Sequence, residues 1–122
     1  MKFKIIKGLG NGRKIGFPTI NFDPPRDLNL KQGVYACFVK LGQKQYMGAF
    51  YYGPKYNFGI LRLCMEVHLI GIKSFPRART IELNIVKRVR GVRKFVSIEA
   101  LVKQIKRDID KVKKILKNAE LD

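Results

Sequence analysis

At 122 residues, 46% of them apolar, the chain is long enough for one hydrophobic core and too short for two. No apolar run approaches the ~20 residues of a membrane-spanning helix, and Met1 to Lys7 alternates polar and apolar residues where a signal peptide would be continuously apolar. The outlying quantity is charge: 26 Lys and Arg against 9 Asp and Glu give +17, a balance that attracts polyanions.

A cytoplasmic protein with no membrane partner is expected. Nucleic acid is the first partner such a charge suggests, but the basic residues are spread along the whole chain, so a solvated, lysine-rich surface is favoured over nucleic-acid binding. Cys37 and Cys64 each lie in an apolar, strand-like run, which reads as two buried reduced thiols without a disulfide partner. Two Cys and one His are too few for a zinc site.

Residues 2 to 7 alternate and predict a first strand. The next stretch, from Gly8 to Gly16, holds four glycines (Gly8, Gly10, Gly12 and Gly16) with Arg13 and Lys14 among them. Glycine lets backbone amides approach a ligand closely, so the loop suits a phosphate. Its spacing fits neither the P-loop nor the dinucleotide fingerprint, and a plain glycine turn fits equally well. Phe17 to Phe22 then predicts a strand in which Thr19 and Asn21, two apart, share a face. Their hydroxyl and amide oxygens are hard ligands suited to Mg²⁺; two ordinary surface residues would give the same pattern.

Asp23 to Asn29 contains Pro24 and Pro25 and is a loop. Gly33 to Leu41 predicts a strand with Val34, Ala36, Phe38 and Lys40 on one face and Tyr35, Cys37, Val39 and Leu41 on the other. Gly42-Gln43-Lys44 is a hairpin turn into a strand from Gln45 to Tyr51. Tyr51 to Gly59 carries Gly-Pro turn chemistry and three of the five tyrosines, and predicts an aromatic loop. Such a loop stacks a base, a flavin or an adenine, or simply covers a barrel end.

Ile60 to Ile70 is the next strand, with Cys64, Glu66 and His68 on one face and Met65, Val67 and Leu69 on the other. A carboxylate flanked by apolar neighbours is desolvated, which raises its pKa toward the range useful to a general base; the alternatives for Glu66 are an ordinary exposed strand residue or a partner for one of the many cations. His68 reads as structural. Gly71 to Thr80 is a loop and Thr80 to Val89 a closing strand. From Ser97, an N-cap, the period becomes 3.6, with Ile98, Leu101, Val102, Ile105, Ile109, Val112, Ile115 and Leu116 in an apolar stripe. Glu99 in the first turn and lysines in the second half suit the helix dipole. About six strands followed by one helix predict a mainly β fold, a small antiparallel barrel with a C-terminal α-helix. A single domain over 1–122 is expected, with the barrel over about 1–90 and the helix over about 97–119.

The pattern GxxxGRxxGFPTxN from Gly8 to Asn21, then Gly33-Val34-Tyr35-Ala36, Tyr46-Met47-Gly48-Ala49, Glu66-Val67-His68-Leu69 and a helix opening Phe95 to Leu101, resembles the riboflavin kinase domain over nearly the whole chain. Pro18-Thr19-Ile20-Asn21 is similar to that family's PTAN motif with Ile in place of Ala. The resemblance implies a six-stranded Greek-key barrel and transfer of the γ-phosphoryl group of ATP to the 5′-hydroxyl of riboflavin, giving FMN and ADP. By the same resemblance, Thr19 and Asn21 hold Mg²⁺ or another divalent cation and the ATP phosphates, and Glu66 is the catalytic base. Gly8, Gly10, Gly12, Arg13, Lys14 and Gly16 are then expected around the phosphates, in a monomer whose partners are riboflavin, FMN, ATP and ADP.

Two stretches depart from the family pattern. Ala49-Phe50-Tyr51 and Pro54-Lys55-Tyr56 replace its Asn-Ile-Gly and Pro-Thr-Phe steps, and Ser74 to Arg79 lacks its acidic residue and Leu-Tyr-Gly step. A flavin-binding relative with impaired catalysis and a basic nucleic-acid-binding barrel are therefore the competing readings. An FAD synthetase domain needs paired histidines; with one His, that activity is expected elsewhere.

Overall fold

Side chains that alternate between buried and exposed build six antiparallel strands, and a computed structural model, which describes residues 1–8 and 10–121, closes them into a barrel. Leu9 of the glycine loop and Asp122 lie outside the described residues. The strands are β1 (Lys2–Ile6), β2 (Ile20–Phe22), β3 (Gly33–Leu41), β4 (Lys44–Lys55), β5 (Ile60–Leu69) and β6 (Thr80–Arg90). The helices are α1 (Asn11–Lys14) and α2 (Ile98–Leu121), with a 3₁₀ turn over Tyr56–Phe58. Around the barrel the order is β1-β2-β5-β4-β3-β6. Strands β3, β4 and β5 follow one another and β6 returns beside β3, which is a Greek key.

The two faces of β3 and β5 separate as their alternation predicts. Tyr35, Cys37, Val39 and Leu41 of β3 and Met65, Val67 and Leu69 of β5 fill the interior, with Phe22, Phe50, Ile81 and Leu83. Phe22 stacks on Phe50 at 5.8 Å and on Phe3 at 5.0 Å between ring centroids. The outward residues Ala36, Phe38, Met47, Ala49 and Val89 meet Ile109, Val112, Ile115 and Leu116 of α2, so the helix covers β3, β4 and β6. Ser97 caps α2 by accepting from the Ala100 N–H at 3.1 Å. At the start of the stripe, Ile98 stays 40% exposed. No helix among the described residues is long and apolar enough to cross a membrane.

Three elements differ from their expected spans. β4 runs on to Lys55 through a segment that reads as a loop, because Pro54 falls at a register shift between Gly53 and Lys55, where no ladder N–H is needed. β2 is only three residues long. The glycine loop contains the short helix α1, closed by Phe17 N–H donating to Gly12 O at 2.7 Å.

Both cysteines are buried free thiols. Burial pushes the Cys37 thiol up to about 12. The folded protein thus keeps a proton that the unfolded chain, with a thiol near 8.5, gives up. That contribution is complete below about pH 8.5 and is lost progressively as pH rises toward 12. Cys37 is expected to resist a disulfide reagent at about pH 8 until denaturant is added. Urea midpoints should fall above about pH 9, with a smaller fall in Cys37→Ala.

Candidate active site

Because Met65 and Val67 point into the barrel, Glu66 points out of it. Strand β2 pairs Asn21 with Glu66, and β4 pairs Tyr51 with Glu66 on the other side. Thr19 immediately precedes β2, and its hydroxyl donates to Glu66 Oε2 at 3.1 Å. Asn21 Nδ2 donates to Thr19 Oγ1 at 3.5 Å. Lys55, at the end of β4, donates from Nζ to the same Glu66 Oε2 at 2.9 Å, both side chains being largely buried. The isolated, apolar-flanked carboxylate expected from the strand pattern is therefore one half of an ion pair. Thr19, Asn21 and Glu66 do come together, and Lys55 joins them.

Two cavities share Lys55 as a lining residue. The larger, an open cleft of about 860 Å³, lies between the barrel and the first half of α2. Phe17, Tyr51, Tyr56, Phe58 and Phe95 supply its aromatic wall and Leu101, Ile105 and Ile109 its helical side; Thr19, Glu66 and His68 are among its polar groups, with Arg90, Arg93 and Asp108 opposite. The smaller, of about 430 Å³, is lined by Lys7, Gly8, Asn21, Asp23, Arg62 and Cys64 among others. Lys55 lines both. His68 Nδ1 lies 2.8 Å from the Pro18 carbonyl, which can only accept, so that nitrogen carries the proton and ties β5 to the Phe17-Pro18-Thr19 step. Its ring meets Phe17 edge-on at 5.7 Å.

The glycine loop contributes shape more than charge. A Cβ on Gly12 would fall 2.3 Å from the Phe17 carbonyl oxygen, so that position requires glycine, while one on Gly8 would fall 2.1 Å from Asn21 Nδ2 and displace the Asn21 side chain. Gly10 and Gly16 flank α1 at positive φ. The amides of Lys14, Ile15, Gly16 and Phe17 already donate within the loop. Arg13 and Lys14 are exposed and line neither cavity. The cations beside the smaller cavity are instead Lys7, Lys55 and Arg62.

A second ion pair builds the far wall of the larger cleft. Arg90 Nε and Nη2 grip Asp108 at 2.8 to 3.0 Å, and Gln104 Nε2 donates to Asp108 Oδ1 at 2.9 Å. The guanidinium groups of Arg90 and Arg93 lie 5.5 and 4.7 Å from the Phe95 ring centroid. Asn57 exchanges two 2.9 Å hydrogen bonds with the Phe95 backbone, holding this segment over the cleft. Burial, opposed by the Arg90 charge, pushes the Tyr51 phenol well above its usual range, and its hydroxyl donates to the Pro54 carbonyl. Asp108 had a legible signal, since it falls between Ile105 and Val112 on the apolar stripe of α2.

Among the described residues, no three His, Cys, Asp or Glu side chains cluster as a metal cage. The donors on hand, the Thr19 hydroxyl and the Asn21 amide oxygen, suit a hard cation that takes most of its ligands from phosphates and water, as Mg²⁺ does.

A family model described as flavokinase, riboflavin kinase, matches residues 1–116. The RNA-binding riboflavin kinase RibR of Bacillus subtilis (strain 168) is 35% identical over 111 residues, 90% of this chain and 48% of that protein. The bifunctional riboflavin kinase/FMN adenylyltransferase of Escherichia coli (strain K12) is 34% identical over 106 residues, 86% of this chain and 34% of that protein. The chain thus spans about a third to a half of the length of these curated relatives. A crystal structure of a macrolide-efflux protein from Streptococcus pneumoniae matches 92% of this chain and 37% of its own, with a TM-score of 0.78 and 26% identity.

Removing one partner of the buried Arg90–Asp108 pair strands a charge, so Arg90→Met is expected to cost about 3–5 kcal/mol of stability in a thermal or urea melt. The double variant Arg90→Met/Asp108→Leu should recover most of that loss.

Proposed function

The chain belongs to the riboflavin kinase family, and from that footing we propose that it transfers the γ-phosphoryl group of ATP to the ribityl 5′-hydroxyl of riboflavin, yielding FMN and ADP. The observation that carries this reading is the bonding of Thr19 and Lys55 to Glu66 in an aromatic cleft that shares Lys55 with a smaller cavity lined by further cations. A flat tricyclic flavin matches the aromatic side, through stacking and apolar burial. A polyphosphate matches the side lined by Lys7, Lys55 and Arg62.

Phosphoryl transfer runs through a loose transition state with charge on the equatorial oxygens, so positioning and electrostatics supply most of the catalysis. Glu66 orients the ribityl hydroxyl and takes its proton. The hydroxyl oxygen forms a bond to Pγ, and the bond from Pγ to the bridging oxygen breaks with its electron pair leaving on ADP. Thr19 and Asn21 would hold a divalent cation, which supplies Lewis-acid neutralisation of phosphate charge when bound. Gly8, which lines the smaller cavity, presents no side chain there and would let the phosphates lie against backbone. The RNA binding in the name of the Bacillus subtilis relative belongs to a protein of which this chain covers 48%.

Purified protein with riboflavin, ATP and Mg²⁺ is expected to form FMN, read by chromatographic separation from riboflavin. Glu66→Gln should lower turnover about 10²- to 10⁴-fold while leaving nucleotide binding largely intact. Unchanged turnover in the variant would remove Glu66 from the base role.

A further inference from the structure

We propose that Lys55 is a catalytic residue of this chain, its ammonium serving the transferring phosphoryl group as well as Glu66. The inference rests on the kinase reading above. Of the described residues, Lys55 alone lines both cavities, so it stands on the line along which a phosphoryl group would pass from one to the other. Its side chain is 10% exposed, so water screens its field on a nearby anion less than it screens a surface lysine's. The ammonium has three N–H donors. Among the described residues one of them is used, toward Glu66 at 2.9 Å, leaving two for phosphate oxygens.

The backbone that carries Lys55 is fixed in advance. The register shift between Gly53 and Lys55 redirects the end of β4, the Tyr51 hydroxyl holds the Pro54 carbonyl, and Lys55 itself pairs with Ile60 of β5. A donor held ready before the charge develops is the arrangement that stabilises a transition state without reorganisation.

The ammonium's part in the transfer is charge placement. Before reaction it balances Glu66. As the ribityl oxygen forms its bond to Pγ, its proton passes to Glu66 and the Pγ–oxygen bond to ADP breaks, so negative charge moves from the carboxylate to the phosphoryl and leaving oxygens. The same ammonium then faces that charge. A counter-ion needed only to bury Glu66 would have no reason to line the nucleotide side as well.

The test compares wild type, Lys55→Met and Lys55→Arg in the riboflavin, ATP and Mg²⁺ assay. Flavin affinity is read by quenching of flavin fluorescence, and affinities for ADP and a non-hydrolysable ATP analogue by calorimetry. Lys55→Met is expected to lose about 10²- to 10³-fold in kcat with flavin affinity within about threefold of wild type, and to weaken the triphosphate analogue more than ADP. Lys55→Arg, which keeps the charge, should stay within about tenfold of wild type, and Lys55→Gln, uncharged but polar, takes the place of Lys55→Met in every comparison if Lys55→Met does not fold. Unimpaired kcat in Lys55→Met, a loss shared equally by flavin, ADP and the analogue, or an Arg variant as impaired as an uncharged one overturns the proposal. No FMN from wild type overturns the kinase reading and this inference together, whereas wild-type turnover with an unimpaired Lys55→Met overturns this inference alone.

Discussion

A strand sends successive side chains to opposite faces, so the burial of Met65, Val67 and Leu69 inside the barrel leaves Glu66 and His68 one direction in which to point. A slip of one residue in β5 would put a carboxylate into a core of Phe22, Phe50 and Leu83, at a cost of several kcal/mol for an unpaired buried charge. Core and site thus enforce the same register. The neighbours follow from it: once Glu66 faces Asn21 across β2 and Tyr51 across β4, Thr19 and Lys55 are within hydrogen-bond reach of its carboxylate.

The helix α2 divides its apolar stripe between two tasks. Its second half, through Val112 and Leu116, is fully buried on the outer face of β3, β4 and β6, and this contact sets where the helix lies. Its first half, through Leu101 and Ile105, faces a cleft instead of a packed surface. Asp108 stands at the division and is buried to 4% exposure, where a lone carboxylate would be untenable; the two-pronged grip of Arg90 and the bond from Gln104 make it tolerable.

The barrel, its strand faces and the capped helix were legible because each rests on a local period: two residues in β3 and β5, 3.6 in α2, and a hydroxyl at Ser97. The end of β4 was not, since Gly53-Pro54 carries turn chemistry in isolation and only the pairing of Lys55 with Ile60 shows that a bulge absorbs it. That misreading hid Lys55, whose partner Glu66 is 11 residues away across the turn. Thr19, Asn21 and Glu66 could be picked out from residue type and the PTAN resemblance, while their mutual contacts depend on the β2–β5 register. Arg13 and Lys14 show the reverse: their chemistry suits a phosphate, but α1 turns them outward, and a sequence of glycines does not reveal which amides the loop spends on itself.

The charge of +17 bears on the site more than on the fold. Among the described residues two ion pairs form, Lys55–Glu66 and Arg90–Asp108, and both are largely buried at the cleft. The remaining cations lack an acidic partner within salt-bridge distance there and project their field into solvent. Such a field raises the local concentration of anions over roughly a Debye length, about 8 Å at physiological salt, and speeds their capture without selecting among them. Selection then falls to the cleft, where charge is paired and directional.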